Sequence, residues 1–176
     1  TGQTLGEYEL LGVIGRGGMG EVYRAHHKNG ETVAVKILPD VLALGKRFVQ
    51  RFQREAATTM TLVHPNIVKM YGSGENDGIY YMAMEFIEGE ELKAYMRRVR
   101  TFSSEDLADI MAGLTAALDY AHAEGCVHRD IKPSNVMLCL NDDKETYRAV
   151  LMDFGVAKIQ DAQTNLTGTD AVGTID

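Results

Sequence analysis

The chain is poor in several of the features that would place it outside the ordinary globular proteins. Cysteine occurs only twice in 176 residues, at Cys126 and Cys139, with neither the spacing nor the neighbours of a zinc site. Two free thiols in a reducing compartment fit that usage better than a disulfide. No apolar run approaches the roughly 20 residues a membrane-spanning helix needs, and the first residues lack the apolar core of a signal peptide. Basic residues are outnumbered, 18 Lys and Arg against 25 Asp and Glu, and the net charge of -7 excludes a broad nucleic-acid footprint, which needs a basic face. Internal repeats and low-complexity tracts are absent. A cytoplasmic location follows as the expectation, with no membrane segment in this chain, and it is compatible with an anchor elsewhere in a longer protein. What remains is ordinary: 45% apolar and 24% charged residues, enough chain for one sizeable core or two small lobes.

The first informative stretch is a glycine cluster. Residues 9–14 form an apolar-rich strand candidate that runs into Gly15-Arg16-Gly17-Gly18-Met19-Gly20. A G-x-G-x-x-G spacing alone is a weak signal, because glycine clusters also build plain turns. The residues after it separate two nucleotide-binding architectures. A dinucleotide-binding fold needs a helix that begins inside the glycines, so that its N-terminus meets the pyrophosphate. Here residues 21–26 alternate like a strand, Asn29-Gly30 offers a two-residue hairpin turn, and residues 32–37 return as a further strand. The dinucleotide reading loses, and backbone amides free of side chains are left to approach phosphates. On the strand 32–37, Val33 and Val35 share one face while Ala34 and Lys36 share the other, which sets a small residue beside a cation.

A helix is expected over residues 46–62, with Phe48, Phe52, Glu55 and Thr59 on one face. A carboxylate in line with two phenylalanines needs a reason, because an unpaired buried charge is costly. An ion pair with Lys36 would supply it; a solvated position beside Arg51 or Arg54 is the alternative. His64-Pro65-Asn66 breaks the helix, and residues 67–70 and 79–86 read as strands joined by a loop over 72–78. Glu88-Gly89-Glu90-Glu91 leads into a short helix to about Val99, whose acidic start and basic end (Arg97, Arg98) suit the helix dipole. Ser103 with Asp106 caps a longer helix that Gly125 ends, and its stripe of Leu107, Ile110, Met111, Leu114, Ala117, Leu118 and Ala121 reads as core.

The stretch around which the rest is organised is His128-Arg129-Asp130-Ile131-Lys132-Pro133-Ser134-Asn135. Val136-Met137 then starts a hairpin that returns through residues 150–152 to Asp153-Phe154-Gly155, with a polar turn at 141–145. That hairpin would bring Asn135 and Asp153 together, two oxygen ligands of the kind Mg²⁺ prefers. A hydrolase arrangement of Ser134, His128 and Asp130 fails, since neither a glycine-flanked elbow nor an oxyanion loop accompanies the serine. His128 reads as a packing residue.

The run H-R-D-I-K-P-S-N with D-F-G resembles the catalytic loop and metal-binding triplet of protein kinases. The glycine lid followed by Val33-Ala34-Val35-Lys36 resembles that family's small lobe. The resemblance runs from about Tyr8 to Asp176, and its style is similar to the bacterial eukaryotic-like serine/threonine kinases. It implies an α+β, two-lobed protein kinase fold. Residues 1–87 would be the small lobe, with an antiparallel sheet, one helix and the connector. Residues 88–176 would be an incomplete large lobe with the catalytic loop and the start of the activation segment.

The resemblance, rather than the spacing, assigns the roles. Asp130 would receive the hydroxyl proton, Lys132 would neutralise the transferred phosphoryl, and Lys36, held by Glu55, would bind phosphates. Asn135 and Asp153 would bind Mg²⁺. The lid Gly15, Arg16, Gly17, Gly18, Met19, Gly20 and Glu21 would cover ATP. Ile14, Val22, Ala34 and Met137 would close an apolar slot round the base, Met84 would guard its back, and the Glu85 carbonyl and Ile87 amide would take adenine. Glu90 and Glu91 are equally suited to a ribose or to helix capping. The implied activity is ATP-dependent phosphoryl transfer to serine or threonine of a protein substrate; the alternative is a nucleotide-binding fragment or regulatory module without turnover. Thr174 would hydrogen-bond near Asp130, and phosphorylation of Thr167 or Thr169 in the segment with Thr164 would order it through Arg129. Two departures stand out. Thr59 occupies a place where the family often stacks a larger apolar residue with Met70, Phe154 and His128. The A-P-E element and later helices do not occur before Asp176, which would leave the face from Leu107 to Ala121 partly exposed.

Overall fold

A computed structural model of the chain describes residues 2–17, 20–39, 43, 45, 49, 50, 53, 56, 57, 59–99, 101–141 and 146–154. Among these, six antiparallel strands form one sheet: β1 (Gln3–Leu5), β2 (Tyr8–Gly17), β3 (Gly20–His27), β4 (Thr32–Ile37), β5 (Met70–Asn76) and β6 (Ile79–Glu85), in the order β1-β2-β3-β4-β6-β5. The two faces of β4 explain its register. Val33 and Val35 enter a core with Leu5, Leu10, Ala25, Tyr81 and Ala83, while Ala34 belongs to a second core behind the site. A one-residue slip would trade the two valines for Ala34 and Lys36, forfeiting roughly 3–6 kcal/mol of valine burial and desolvating a cation.

Beyond the sheet come β7 (Glu90–Glu91), α1 (Leu92–Arg98), α2 (Ser104–Ala123), a 3₁₀ turn (Pro133–Asn135), β8 (Val136–Leu140) and β9 (Tyr147–Leu151). β7, β8 and β9 form a small antiparallel sheet. The Ser103 hydroxyl accepts the Asp106 amide at 2.9 Å, the cap the sequence signals. Gly125, at φ 73, takes the left-handed conformation just past the helix. Ile110, Leu114, Ala117 and Ala121 of α2 pack with Leu62, Ile67, Leu138, Leu151 and Phe154, whereas Leu107 (49% exposed) and Met111 (50%) face outward.

Several boundaries differ from the sequence reading. The strand expected at 67–70 begins at Met70 and runs through the glycines to Asn76, in the stretch assigned to a loop. A Cβ on Gly74 would lie 2.6 Å from the Tyr81 hydroxyl, so the glycine makes room for a cross-strand tyrosine instead of marking a break. The turn is Asp77-Gly78, with φ 52 and 81, as a tight hairpin requires. Asn29-Gly30 sits within a longer connection from Lys28 to Glu31, closed by a hydrogen bond from the His27 amide to the Glu31 carbonyl at 2.9 Å. Of the helix expected at 46–62, Val49, Gln50, Gln53, Ala56, Ala57 and Thr59 are helical, and Met60 and Thr61 form a turn. β1 and β7 have no counterpart in the sequence reading.

The residues after that helix are stitched to the far end of the chain. Ile67 bridges Leu151 in parallel; the Leu151 amide donates to the Asn66 carbonyl (2.8 Å) and the Val68 amide to the Leu151 carbonyl (3.0 Å). The Asn66 side chain donates to the Ala149 carbonyl at 2.7 Å. His64 stacks on Tyr120, whose hydroxyl accepts the Val63 amide. The second core accordingly joins Ala34, Leu38, Ala56, Val68, Met82 and Met84 to Cys139 and Val150. Among the described residues no helix is long and apolar enough to cross a membrane.

Candidate active site

A cavity of about 570 Å³ opens between the two sheets. Its roof is Ile14, Gly15 and Val22 from β2 and β3; Ala34 and Lys36 of β4 and Met84 of β6 form its back; Glu85 to Gly89 form one side, and Met137, Met152 and Asp153 its floor. Nine of the residues expected round a nucleotide thus line one cavity: Ile14, Gly15, Val22, Ala34, Lys36, Met84, Glu85, Ile87 and Met137. Arg16, Gly17, Gly20 and Glu21 lie further out, at the tip of the β2–β3 hairpin, where Arg16 pairs with Glu21 at 2.9 Å. Gly18 and Met19 fall outside the described residues, as do Glu55, Phe48, Phe52, Arg51, Arg54 and Thr164, Thr167, Thr169 and Thr174. Gly20 has φ +111, and a Cβ there would meet the Ile37 carbonyl at 2.0 Å, so no other residue fits the lid's return.

Lys36 is 6% exposed, and its ammonium lies 2.8 Å from the Asp153 carboxylate, across 117 residues of sequence. A cation so deep needs a counter-charge. Asp153 provides one, and the pair lines the cavity beside Ala34, Met84 and Met152.

The residues of the run 128–135 hold one another. The Asn135 amide nitrogen donates to both the Asp130 carbonyl (2.8 Å) and its carboxylate (2.9 Å), and the Lys132 ammonium sits 2.8 Å from the same carboxylate. Burial works to raise the Asp130 carboxyl, but the Lys132 ammonium and the Asn135 amide outweigh it and hold the group below the usual carboxylate range. Both Asn135 donors are aimed at Asp130, which leaves its amide oxygen as the group able to meet a cation. His128 is 1% exposed. Its Nδ1 accepts the Asp130 amide at 3.2 Å, so Nε2 is the donor to the Met152 carbonyl at 2.7 Å, and the ring meets Phe154 edge-on at 4.6 Å. Burial pushes the imidazole below its ordinary value. It is a neutral packing residue and a hydrogen-bond anchor.

Two non-glycine residues here have left-handed backbones, Arg129 (φ 67) and Asp153 (φ 55). Each such residue stores about 1–3 kcal/mol and persists only where its surroundings impose it. The peptide before Asp153 is gripped at both ends: the Met152 amide donates to the Asn135 carbonyl at 2.8 Å, and its carbonyl takes the His128 proton. The β8–β9 register, with Val136 opposite Leu151, sets these ends side by side. Lys132 opens the 3₁₀ turn, and its carbonyl accepts the Asn135 amide at 2.9 Å.

The sequence reading passed over Met152, Arg24 and Phe86 as cavity residues. Met152 was legible, since alternation from Val150 puts it on the face of Met137. Arg24 and Phe86 meet only in three dimensions, with the guanidinium 5.1 Å above the ring. Glu90 lies in β7 and pairs with Arg98 at 2.6 Å, while Glu91 makes no side-chain cap to α1 and lines the cavity, so the acidic helix start expected from the sequence is not formed. Thr59 is buried beside Met70 and Phe154 around a small internal gap.

Comparison with known proteins agrees with this architecture. Residues 8–176 match the family described as "Protein kinase domain". The chain belongs to the protein kinase family. It is 43% identical over 173 residues to a probable serine/threonine-protein kinase, SCO3848, of Streptomyces coelicolor, covering 95% of this chain and 25% of the relative. It is 39% identical over 168 residues to the serine/threonine-protein kinase PrkC of Bacillus subtilis, again covering 95% and 25%. The chain therefore spans about a quarter of the length of the curated relatives it matches. The crystal structure of the Mycobacterium tuberculosis PknI kinase domain superposes with a TM-score of 0.74 at 34% identity, over 88% of this chain and 62% of that one.

Proposed function

We propose that this chain carries the nucleotide site and catalytic loop of a serine/threonine protein kinase, which transfers the γ-phosphoryl of ATP to a hydroxyl of a protein substrate. The observation that carries the reading is the Lys36–Asp153 pair in a cavity roofed by a glycine hairpin, with the group of Asp130, Lys132 and Asn135 tied to that pair's strand end through the Met152 backbone.

The side chains fit a magnesium nucleotide. The cavity offers a slot between Ala34 and Met137 for a planar base, and Mg²⁺ favours oxygen ligands beside phosphate. The Asp153 carboxylate and the Asn135 amide oxygen would hold the metal, which when bound offsets charge on the phosphates. Lys36 would exchange its contact with Asp153 for one with phosphate oxygen. Asp130 orients the acceptor hydroxyl and takes its proton as the oxygen–phosphorus bond forms and the bond to the leaving diphosphate breaks. Its depressed carboxyl keeps it ionised for that task, and Lys132 beside it places positive charge where the phosphoryl passes. Lysine at 132 supports serine or threonine as acceptor, in keeping with the names of the relatives.

The test is transfer of radiolabelled γ-phosphate from ATP to protein, run with Asp130→Asn beside the parent. Transfer that survives Asp130→Asn refutes the role of Asp130. A thermal shift with ATP and Mg²⁺ but no transfer leaves a nucleotide-binding module in place of an enzyme.

A further inference from the structure

Residues 85–89 line the cavity, and two guanidinium groups brace them. From the small-lobe sheet, Arg24 covers the Phe86 ring at 5.1 Å. From β9, Arg148 donates through one nitrogen to the Pro65 carbonyl at 2.7 Å, while its other terminal nitrogen lies 3.9 Å from the Glu85 carboxylate. Glu85 is in turn locked to its neighbour strand: its amide donates to the Lys69 carbonyl at 2.8 Å, and its carboxylate faces the Lys69 amide at 3.5 Å. A single planar fork thus touches the loop after the small-lobe helix and the first residue of the connector, from a strand that ends two residues before Asp153. Lysine could not span both, because it carries one charged nitrogen where arginine carries a rigid pair.

We propose that Arg148 is a positioning residue for the nucleotide: it fixes the connector against the loop 63–68 and so sets where the Glu85 carbonyl and the Ile87 amide stand in the cavity. This rests on the nucleotide reading above and adds a residue that never touches the ligand. Glu85 thereby has two separable parts, a backbone that faces the base and a carboxylate that answers Arg148.

The experiment compares the full chain with Arg148→Met, Arg148→Lys and Glu85→Gln. Amide hydrogen exchange is read over residues 65–69 and 85–87 without nucleotide, and KM for ATP is separated from kcat. Loss of a charge-assisted, partly exposed bond predicts about a three- to tenfold higher KM in Arg148→Met with kcat within about twofold. Exchange should quicken over both segments. Arg148→Lys should recover part of the KM, and Glu85→Gln, which keeps the Pro65 bond, should shift it in the same direction but less. Unchanged exchange in Arg148→Met, or an unchanged KM, overturns the proposal, as does a fall in kcat that matches the rise in KM. Were the parent chain itself not to bind a fluorescent ATP analogue, the nucleotide reading would fall, and the exchange arm alone would decide whether Arg148 clamps the connector.

Discussion

Replacing Asn135 with Ala should destabilise this chain by an amount that follows from two hydrogen bonds. The side chain is 6% exposed and makes two hydrogen bonds, to the Asp130 carbonyl at 2.8 Å and to its carboxylate at 2.9 Å. The backbone bonds at this residue, to the Lys132 carbonyl and from the Met152 amide, survive the substitution. What is lost is one neutral bond worth about 1 kcal/mol and one charge-assisted bond worth about 1.5–3, so the expected cost is about 2–4 kcal/mol. In a chain of this size that lowers the thermal midpoint by about 4–16 °C. Urea unfolding at neutral pH, monitored by circular dichroism, measures it. Asn135→Asp is the informative partner, since it keeps the shape and turns a carboxylate toward Asp130. Its cost should be largest near neutral pH and shrink on acidification, because protonating either group relieves the repulsion. A loss below about 0.5 kcal/mol for Asn135→Ala, within the range of neutral surface changes, would show that the amide does not brace Asp130.

Three other outcomes follow from the same geometry. His128 is held neutral by burial, whereas in the unfolded chain it protonates near 6.5. The unfolded state then binds more protons, so stability should fall as pH drops below about 6.5, and urea titrations should show that slope reduced in His128→Phe. Gly20→Ala, with φ +111 and a Cβ 2.0 Å from the Ile37 carbonyl, should lose at least about 1–3 kcal/mol in thermal unfolding, while Gly17→Ala, with open space around its Cβ, should unfold like the parent. Asp153→Asn should abolish phosphoryl transfer in an active form of the protein, and Asp153→Ala should also lower the unfolding midpoint without any metal, because it removes the carboxylate that pairs with the buried Lys36 ammonium.

Much of this arrangement was legible in the residues. Alternation at Thr32–Ile37 sets Lys36 on the cavity side, the Ser103 cap and Gly125 bracket α2, and the hairpin after Asn135 ends at Asp153 as its pattern requires. The sequence reading failed where a local signal has two meanings. Gly72 and Gly74 look like a loop, yet both belong to β5, and at Gly74 a tyrosine on the next strand occupies the space a side chain would fill. Three-residue β1 and two-residue β7 are too short to show a period. The observed partner of Lys36 was not foreseen, since nothing local marks a contact made across 117 positions. Arg148 was invisible for the same reason: in sequence it is one more charged residue beside a polar turn.

The parallel stitch between residues 66–68 and Leu151 also bears on the order in which the chain can fold during synthesis. Asn66 and Pro65 each find their β9 partners 83 positions later, so a ribosome must deliver β9 before the segment 65–68 can complete its hydrogen bonds. Until β9 emerges, Ile67 and Val68 lack the Leu151 and Val150 side chains that complete their cores. A factor that shields apolar surface at the exit tunnel would therefore find a window of contact at Ile67 and Val68 that closes with the appearance of Leu151.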